Sequence, residues 1–278
     1  MKKTAIVIVN YNDYENTNNL VNELKSFKNI DEIVVVDSGS TDDSLKDLKK
    51  NKDITVIESA NLGYSHALNA GSKYLVNKYN DVNIILSNSD ISIKDEKVID
   101  ELNKMIDDTT KVCMPAINEN GTIKYGWRNR HKYIDLLNNV PFINRLYRDK
   151  LISYKKDYYK DIVNVDCIYG CFFMVDGITL KDIGYFDENV FLYFEEDILA
   201  KKLKKKKLLS KCNCNIFVYH MHNATIGNNV SNLNKYKIHA KSKFYYEKEY
   251  NHSRLSMILF KLFYYINLVP YKIKAKKK

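Results

Sequence analysis

Three consecutive carboxylates, Glu195, Glu196 and Asp197, separate an aromatic, strand-like run, VFLYF (190–194), from a lysine-rich helical pattern that reaches Leu203. The helix macrodipole favours acids in a first turn, so capping alone is one reading. The other is a part in a polar site shared with further strand-end groups. Asp90 ends the apolar run of IILSNSD, and His220 ends FVYH. A carboxylate and an imidazole at two strand ends suit a divalent cation such as Mn²⁺ or Mg²⁺, and the three groups together predict one polar cleft.

Other residues belong to the same edge. In EIVVVDSGSTDD, Asp37 closes a buried strand and Gly39 permits a tight turn, while Thr41 or Asp42 caps the next helix. Asp37 itself is left to hydrogen-bond a base or ribose. In NLGYSHALNAG, Gly63 allows close backbone approach, and His66 reads as a structural histidine. Asn88-Ser89-Asp90 follows a short apolar run, so its carboxylate emerges where a hard cation would need an oxygen ligand.

The elements that must carry these residues are short β-branched runs alternating with helical patterns. Strands are predicted at 4–10, 32–37, 54–59, 83–88 and 111–118, with 166–177 strand-like, and helices around 15–27, 42–50, 64–78 and 94–108. That alternation signals βαβ units, and open α/β sheets bind ligands at the carboxyl edge of their strands. Residues 126–161 form a basic, aromatic stretch without clear periodicity, read either as an acceptor-side insertion or lid or as a surface helical hairpin without catalytic contact.

At 278 residues with 45% hydrophobic content, the chain can bury one sizeable core. Its net charge of +10 is uneven: residues 1–110 hold 13 basic and 19 acidic residues, the remainder 31 and 15. The lysines lie in blocks away from an aromatic stacking platform, which argues against a nucleic-acid binder. Five cysteines without a zinc-type pairing predict reduced thiols and a cytoplasmic setting. The apolar run of the N-terminus ends at Asn10 and reads as a strand and not a signal peptide. Residues 255–271 are apolar and aromatic but interrupted by Lys261, and a basic tail follows. An interfacial helix at the inner face of the cell membrane is expected, against a helix packed on the core.

IVNYN, VVDSGSTD, NLGYSHALNAG, LSNSD, GCFFMVDG, IGYFDENVFLYFEED and VYHMHNAT occur in an order that resembles inverting family 2 glycosyltransferases of the GT-A fold, especially their rhamnosyltransferase-like group. The resemblance covers about residues 4–227 and implies a Rossmann-like α/β domain (1–227) with a C-terminal helical segment (228–278). It implies a nucleotide-sugar site (UDP- or dTDP-linked) at Asn10, Tyr11, Asn12, Asp37, Gly63, Asn88 and Asp90. Asp90 ends a DxD-like element with Asn88 in the first place, and His220 or, failing it, His222 completes the metal or diphosphate site ahead of Thr225. An ungapped alignment makes Glu196 the base, with Glu195 beside it, and a one-residue shift makes it Asp197. Gly184 and Asp187 are implied to form the turn before that helix. The expected acceptor is a saccharide, with one carried on a polyprenyl diphosphate for a surface polysaccharide as the specific expectation; a non-catalytic nucleotide-sugar-binding or scaffolding relative is the rival reading.

Overall fold

A computed structural model describes residues 2–127, 161–221 and 231–276. Its strands are β1 (Lys3–Asn10), β2 (Glu32–Ser38), β3 (Thr55–Ser59), β4 (Val82–Asn88), β5 (Ile91–Ser92), β6 (Thr110–Glu119), β7 (Thr122–Lys124), β8 (Ile162–Val165), β9 (Phe172–Asp176) and β10 (Leu209–His220). The helices are α1 (Tyr14–Leu24), α2 (Ser44–Leu48), α3 (Tyr64–Tyr79), α4 (Lys97–Met105), α5 (Gly177–Asp182), α6 (Glu195–Lys205), α7 (Asn232–Tyr246) and α8 (Arg254–Lys276), with a π-helical turn at Glu247–Asn251.

The main sheet runs β3-β2-β1-β4-β9-β6-β10-β5. Its central strands are buried on both faces, from Ala5–Ile8 through Val34–Val36 to Ile84–Leu86, because helices cover both sides. Parallel pairing sets Asn10 beside Asp37 and Val9 beside Asn88, so three polar strand ends leave the sheet along one edge. β9 runs antiparallel, with Ser87 opposite Phe172, and its beginning therefore lies at that same edge. The antiparallel pair of β5 and β10 sets His220 opposite Ile91, next to Asp90.

Three expectations change. The run 166–177 is a strand only at Phe172–Asp176: a turn precedes it, and Asp176 accepts the Thr179 N–H (2.8 Å) to start α5. The helix expected at 42–50 is confined to Ser44–Leu48. VFLYF is not a strand. Tyr193 and Phe194 adopt left-handed backbone angles (φ 71° and 73°), and Val190, Phe194 and Ile198 pack with Tyr246 of α7 instead of pairing in the sheet. Of the expected insertion at 126–161, residues 128–160 lie outside the described residues, as do His222 and Thr225.

The C-terminal helices clasp the loop ahead of α6. Ser242 donates to the Leu192 carbonyl (2.7 Å), and Tyr245 and Tyr250 both donate to Asp187 (2.9 and 2.5 Å). Tyr236 of α7 stacks on Tyr264 of α8, ring centroids 5.7 Å apart.

Candidate functional site

The first wall of the cleft is the pair of loops after β1 and β2. Asn12 bonds Thr41 reciprocally: its Oδ1 accepts the Thr41 N–H (2.7 Å) and its Nδ2 donates to Thr41 Oγ1 (3.1 Å). Asp37 is fully buried. Its Oδ1 accepts from the Ser40 N–H (2.9 Å), and its Oδ2 accepts from Ser40 Oγ (2.6 Å) and Asn10 Nδ2 (2.8 Å). This carboxylate knits the two loops from within, because Ser40 folds back three residues later. Tyr11 and Asn12, half-buried, form the accessible part of this wall.

The second wall holds Asp90 and His220, both nearly buried. His220 Nε2 lies 3.2 Å from Asp90 Oδ1, and its Nδ1 lies 3.2 Å from Glu119 Oε1. Burial works against charge on the imidazole, yet Asp90 and Cys171 carry its pKa up to about 11. Here the pair is an ion pair with the proton between them; it would hold a divalent cation only once His220 gives up that proton. Oxygen or nitrogen ligands held at right angles on a cation at about 2.1 Å lie about 3 Å apart, the spacing seen here, and Glu119 fixes the second ring nitrogen. Ser89 donates to Asp13 (2.6 Å), which brings another carboxylate close. Among the described residues no cluster of three or more metal-binding side chains occurs.

The third wall is the start of α6. Glu195 and Asp197 are buried (7% and 5% exposed), while Glu196 keeps an exposed part. Asp197 accepts from Cys167 Sγ (3.8 Å) inside the protein. Glu195 Oε2 is buried without a hydrogen-bond partner among the described residues. Burial, then the charge of Asp197, lifts Glu195 to about 7; burial, then Glu195, pushes Glu196 well above the usual carboxylate range. Adjacent helical side chains point about 100° apart, so the three acids face different surroundings, and of the three only Glu196 keeps exposed surface.

Glu196 rests on Gly170, whose N–H hydrogen-bonds its carboxylate. A Cβ at Gly170 would come 2.9 Å from Glu196 Cδ and 3.1 Å from Cγ, closer than carbon atoms pack. Tyr64 joins this wall to the second: its hydroxyl reaches Asn88 Oδ1 (2.8 Å) and the Gly170 carbonyl (3.2 Å). Asn88 thus presents its side-chain oxygen to Tyr64, and its backbone N–H bonds the Cys171 carbonyl (2.9 Å). Gly63 (φ 114°) brings the turn against Phe191, whose carbonyl accepts the Tyr64 N–H (2.8 Å). Trp127 meets Tyr169 edge-to-face at 5.6 Å beside Gly170.

Sequence reasoning missed Tyr64, Glu119 and Asp13. Tyr64 had a usable signal, since it follows Gly63 at the first position of a helix. His66 pairs with Glu188 (2.7 Å), apart from these walls.

The family model described as "Glycosyl transferase family 2" matches residues 5–179. The chain is 28% identical over 214 residues to the low-salt glycan biosynthesis hexosyltransferase Agl10 of Haloferax volcanii; the match takes in 73% of this chain and 62% of that protein, less than two thirds of its length. In fold it is similar to the Pyrobaculum calidifontis mannosyltransferase PcManGT solved with GDP-Man and Mn²⁺ (TM-score 0.59, 13% identity, 99% of this chain and 74% of that one). It is also similar to S. aureus TarS 1-349 solved with UDP (TM-score 0.54, 18% identity, 93% and 70%). The GT-A fold expected from the sequence, a central sheet flanked by helices, is the fold these structures share, but the sheet expected to be mostly parallel is mixed, because β5, β7, β8 and β9 pair antiparallel.

Proposed function

The chain belongs to glycosyl transferase family 2, and from that premise we propose that it moves a hexose from a nucleoside-diphosphate sugar to an acceptor hydroxyl with inversion. The observation that carries this reading is the seat of Glu196: a half-open carboxylate on the Gly170 backbone, linked through Tyr64 to the strand end that carries Asp90.

Glu196 takes the proton of the acceptor hydroxyl, for which burial and Glu195 make it a stronger base than a solvated carboxylate. The acceptor oxygen then attacks the anomeric carbon from the face opposite the leaving diphosphate, so the configuration inverts. Asp90 and His220 would hold a divalent cation, which supplies Lewis-acid stabilisation of charge on the departing diphosphate. Tyr11, Asn12 and the loop tied by Asp37 flank the nucleotide. Trp127 and Tyr169 form an aromatic shelf for the acceptor.

The curated relative supports a role in glycan assembly, for which a polyprenyl-diphosphate-linked saccharide is the proposed acceptor and a surface polysaccharide the product. UDP-, dTDP- and GDP-sugars are the donors to test. The full chain is to be screened against them with Mn²⁺, Mg²⁺ or EDTA, reading thermal stabilisation and donor hydrolysis. One donor that stabilises the protein with metal supports the reading. Glu196→Gln is then expected to keep that stabilisation and lose turnover by about 10²–10⁴-fold; turnover unchanged in this variant moves the base elsewhere, and silence across the panel favours a non-catalytic relative.

A further inference from the structure

α8 has two apolar faces, and only one is covered. Ser256 and Leu268 are buried, and Phe260 and Tyr264 lie half-buried toward α7, where Lys243 sits over the Phe260 ring and Tyr236 stacks on Tyr264. On the other side Leu255, Ile258, Leu262, Tyr265, Ile266 and Val269 are between 51% and 70% exposed among the described residues. At about 100° per residue, these six side chains fall within an arc of about 100°. Such a stripe is the face a surface helix normally turns inward.

Charge identifies what covers it. Arg254, Lys261 and Lys272 are all exposed, and by the same helical count they line one border of the stripe, about 20–40° outside it. Residues 250–278 contain seven basic residues and no acidic one. Two copies packed through this face would bring those cations together with no opposing charge from the same segment, since an isologous interface pairs a patch with itself. An anionic bilayer offers both apolar depth and negative charge. No helix among the described residues is long and apolar enough to cross a membrane, so a helix lying in the interface is the geometry left for this contact.

We propose that the 255–269 face of α8 docks on the surface of an anionic lipid bilayer, with Arg254 and Lys272 against the headgroups, while Lys261 lies over the Phe244 ring of α7 (5.1 Å). The contact is tied to the cleft. α8 holds α7 through the Tyr236–Tyr264 stack, and α7 holds the Leu192 carbonyl two residues before Phe194, the N-cap of α6. A bilayer under α8 therefore fixes the distance and tilt at which Glu196 meets an acceptor presented from that bilayer. The docking itself stands apart from the proposed reaction.

The test is sedimentation of the full chain with phosphatidylcholine vesicles, with or without phosphatidylglycerol, at low and high salt. The chain is expected to pellet with the anionic vesicles at low salt, with affinity lower by about tenfold or more on neutral vesicles or at high salt. Leu262→Asp with Ile266→Asp, both on exposed positions, is expected to leave the protein in the supernatant with an unchanged circular dichroism spectrum. Should that variant unfold, Arg254→Glu with Lys272→Glu takes its place, with the same expected loss. Equal partitioning onto both vesicle types, or binding unaffected by the variants, overturns the proposal. So does a wild-type dimer that these substitutions dissolve while no vesicle is bound. Donor hydrolysis of the same samples reports on the proposed reaction separately, because none of these positions lines the cleft.

Discussion

At the cleft, the acids of α6 differ by burial and by which way a helix turns them. Glu195 lies at about 7 in the folded protein against 4.5 in its ordinary state, so the folded chain keeps a proton that the unfolded chain has released. Stability therefore falls as pH rises from about 4.5 through 7. Glu195→Gln is expected to flatten that loss, read as melting temperatures at pH 5 and 8, and to shift the acid limb of the rate profile to lower pH, since a like charge beside Glu196 is gone. Gly170→Ala probes the seat of the base. The obstructed atoms are the far end of a flexible side chain, so folding is expected to change by under about 1 kcal/mol, while kcat drops about tenfold or more as Glu196 swings aside. Asp90 and His220 were legible in the sequence because each ends an apolar run. The rest of the base's surroundings was not: Gly170 meets Glu196, and Tyr64 meets Asn88, only through the register of β9 and the turn at Gly63. Asp37 was legible as a strand-end acid, but its inward bonds depend on where the Ser40 side chain returns.

Among the elements, the strands up to β4 and their helices were readable from periodicity, since each parallel strand is an unbroken apolar run. VFLYF carried the same signal and misled, because aromatic residues packed on α7 look like a strand when read alone. That loop owes its shape to Asp187, whose acceptors serve Tyr245 and Tyr250, 58 and 63 residues further on. Burial would raise this carboxyl, but the bonds from Tyr250, Asn189 and Tyr245 hold it below the ordinary value. Asp187→Ala strands two tyrosine hydroxyls and is expected to cost about 2–4 kcal/mol in chemical denaturation, with α7 loosened from the α6 loop and kcat reduced in step.

For the molecule as a whole, the uneven charge foreshadowed a basic C-terminal half, and the order of motifs indicated the sheet. The position of β9 was hidden, since a sequence does not announce that its ninth strand enters between its fourth and sixth. That placement governs how the chain emerges during synthesis. β1 to β4 can pair as they leave the ribosome, yet β4 keeps a bare edge, and β6 has only the short β7 beside its end, until Phe172–Asp176 arrives to bridge them. Bare edges are templates for wrong partners, and closure that needs distant segments is slow. Stalled chains exposing residues through β6 should be cut readily by a protease, and those exposing residues through β10 should resist it; equal resistance would mean the first strands are stable alone. The interval between those lengths is when the edges of its sheet are most open to wrong partners.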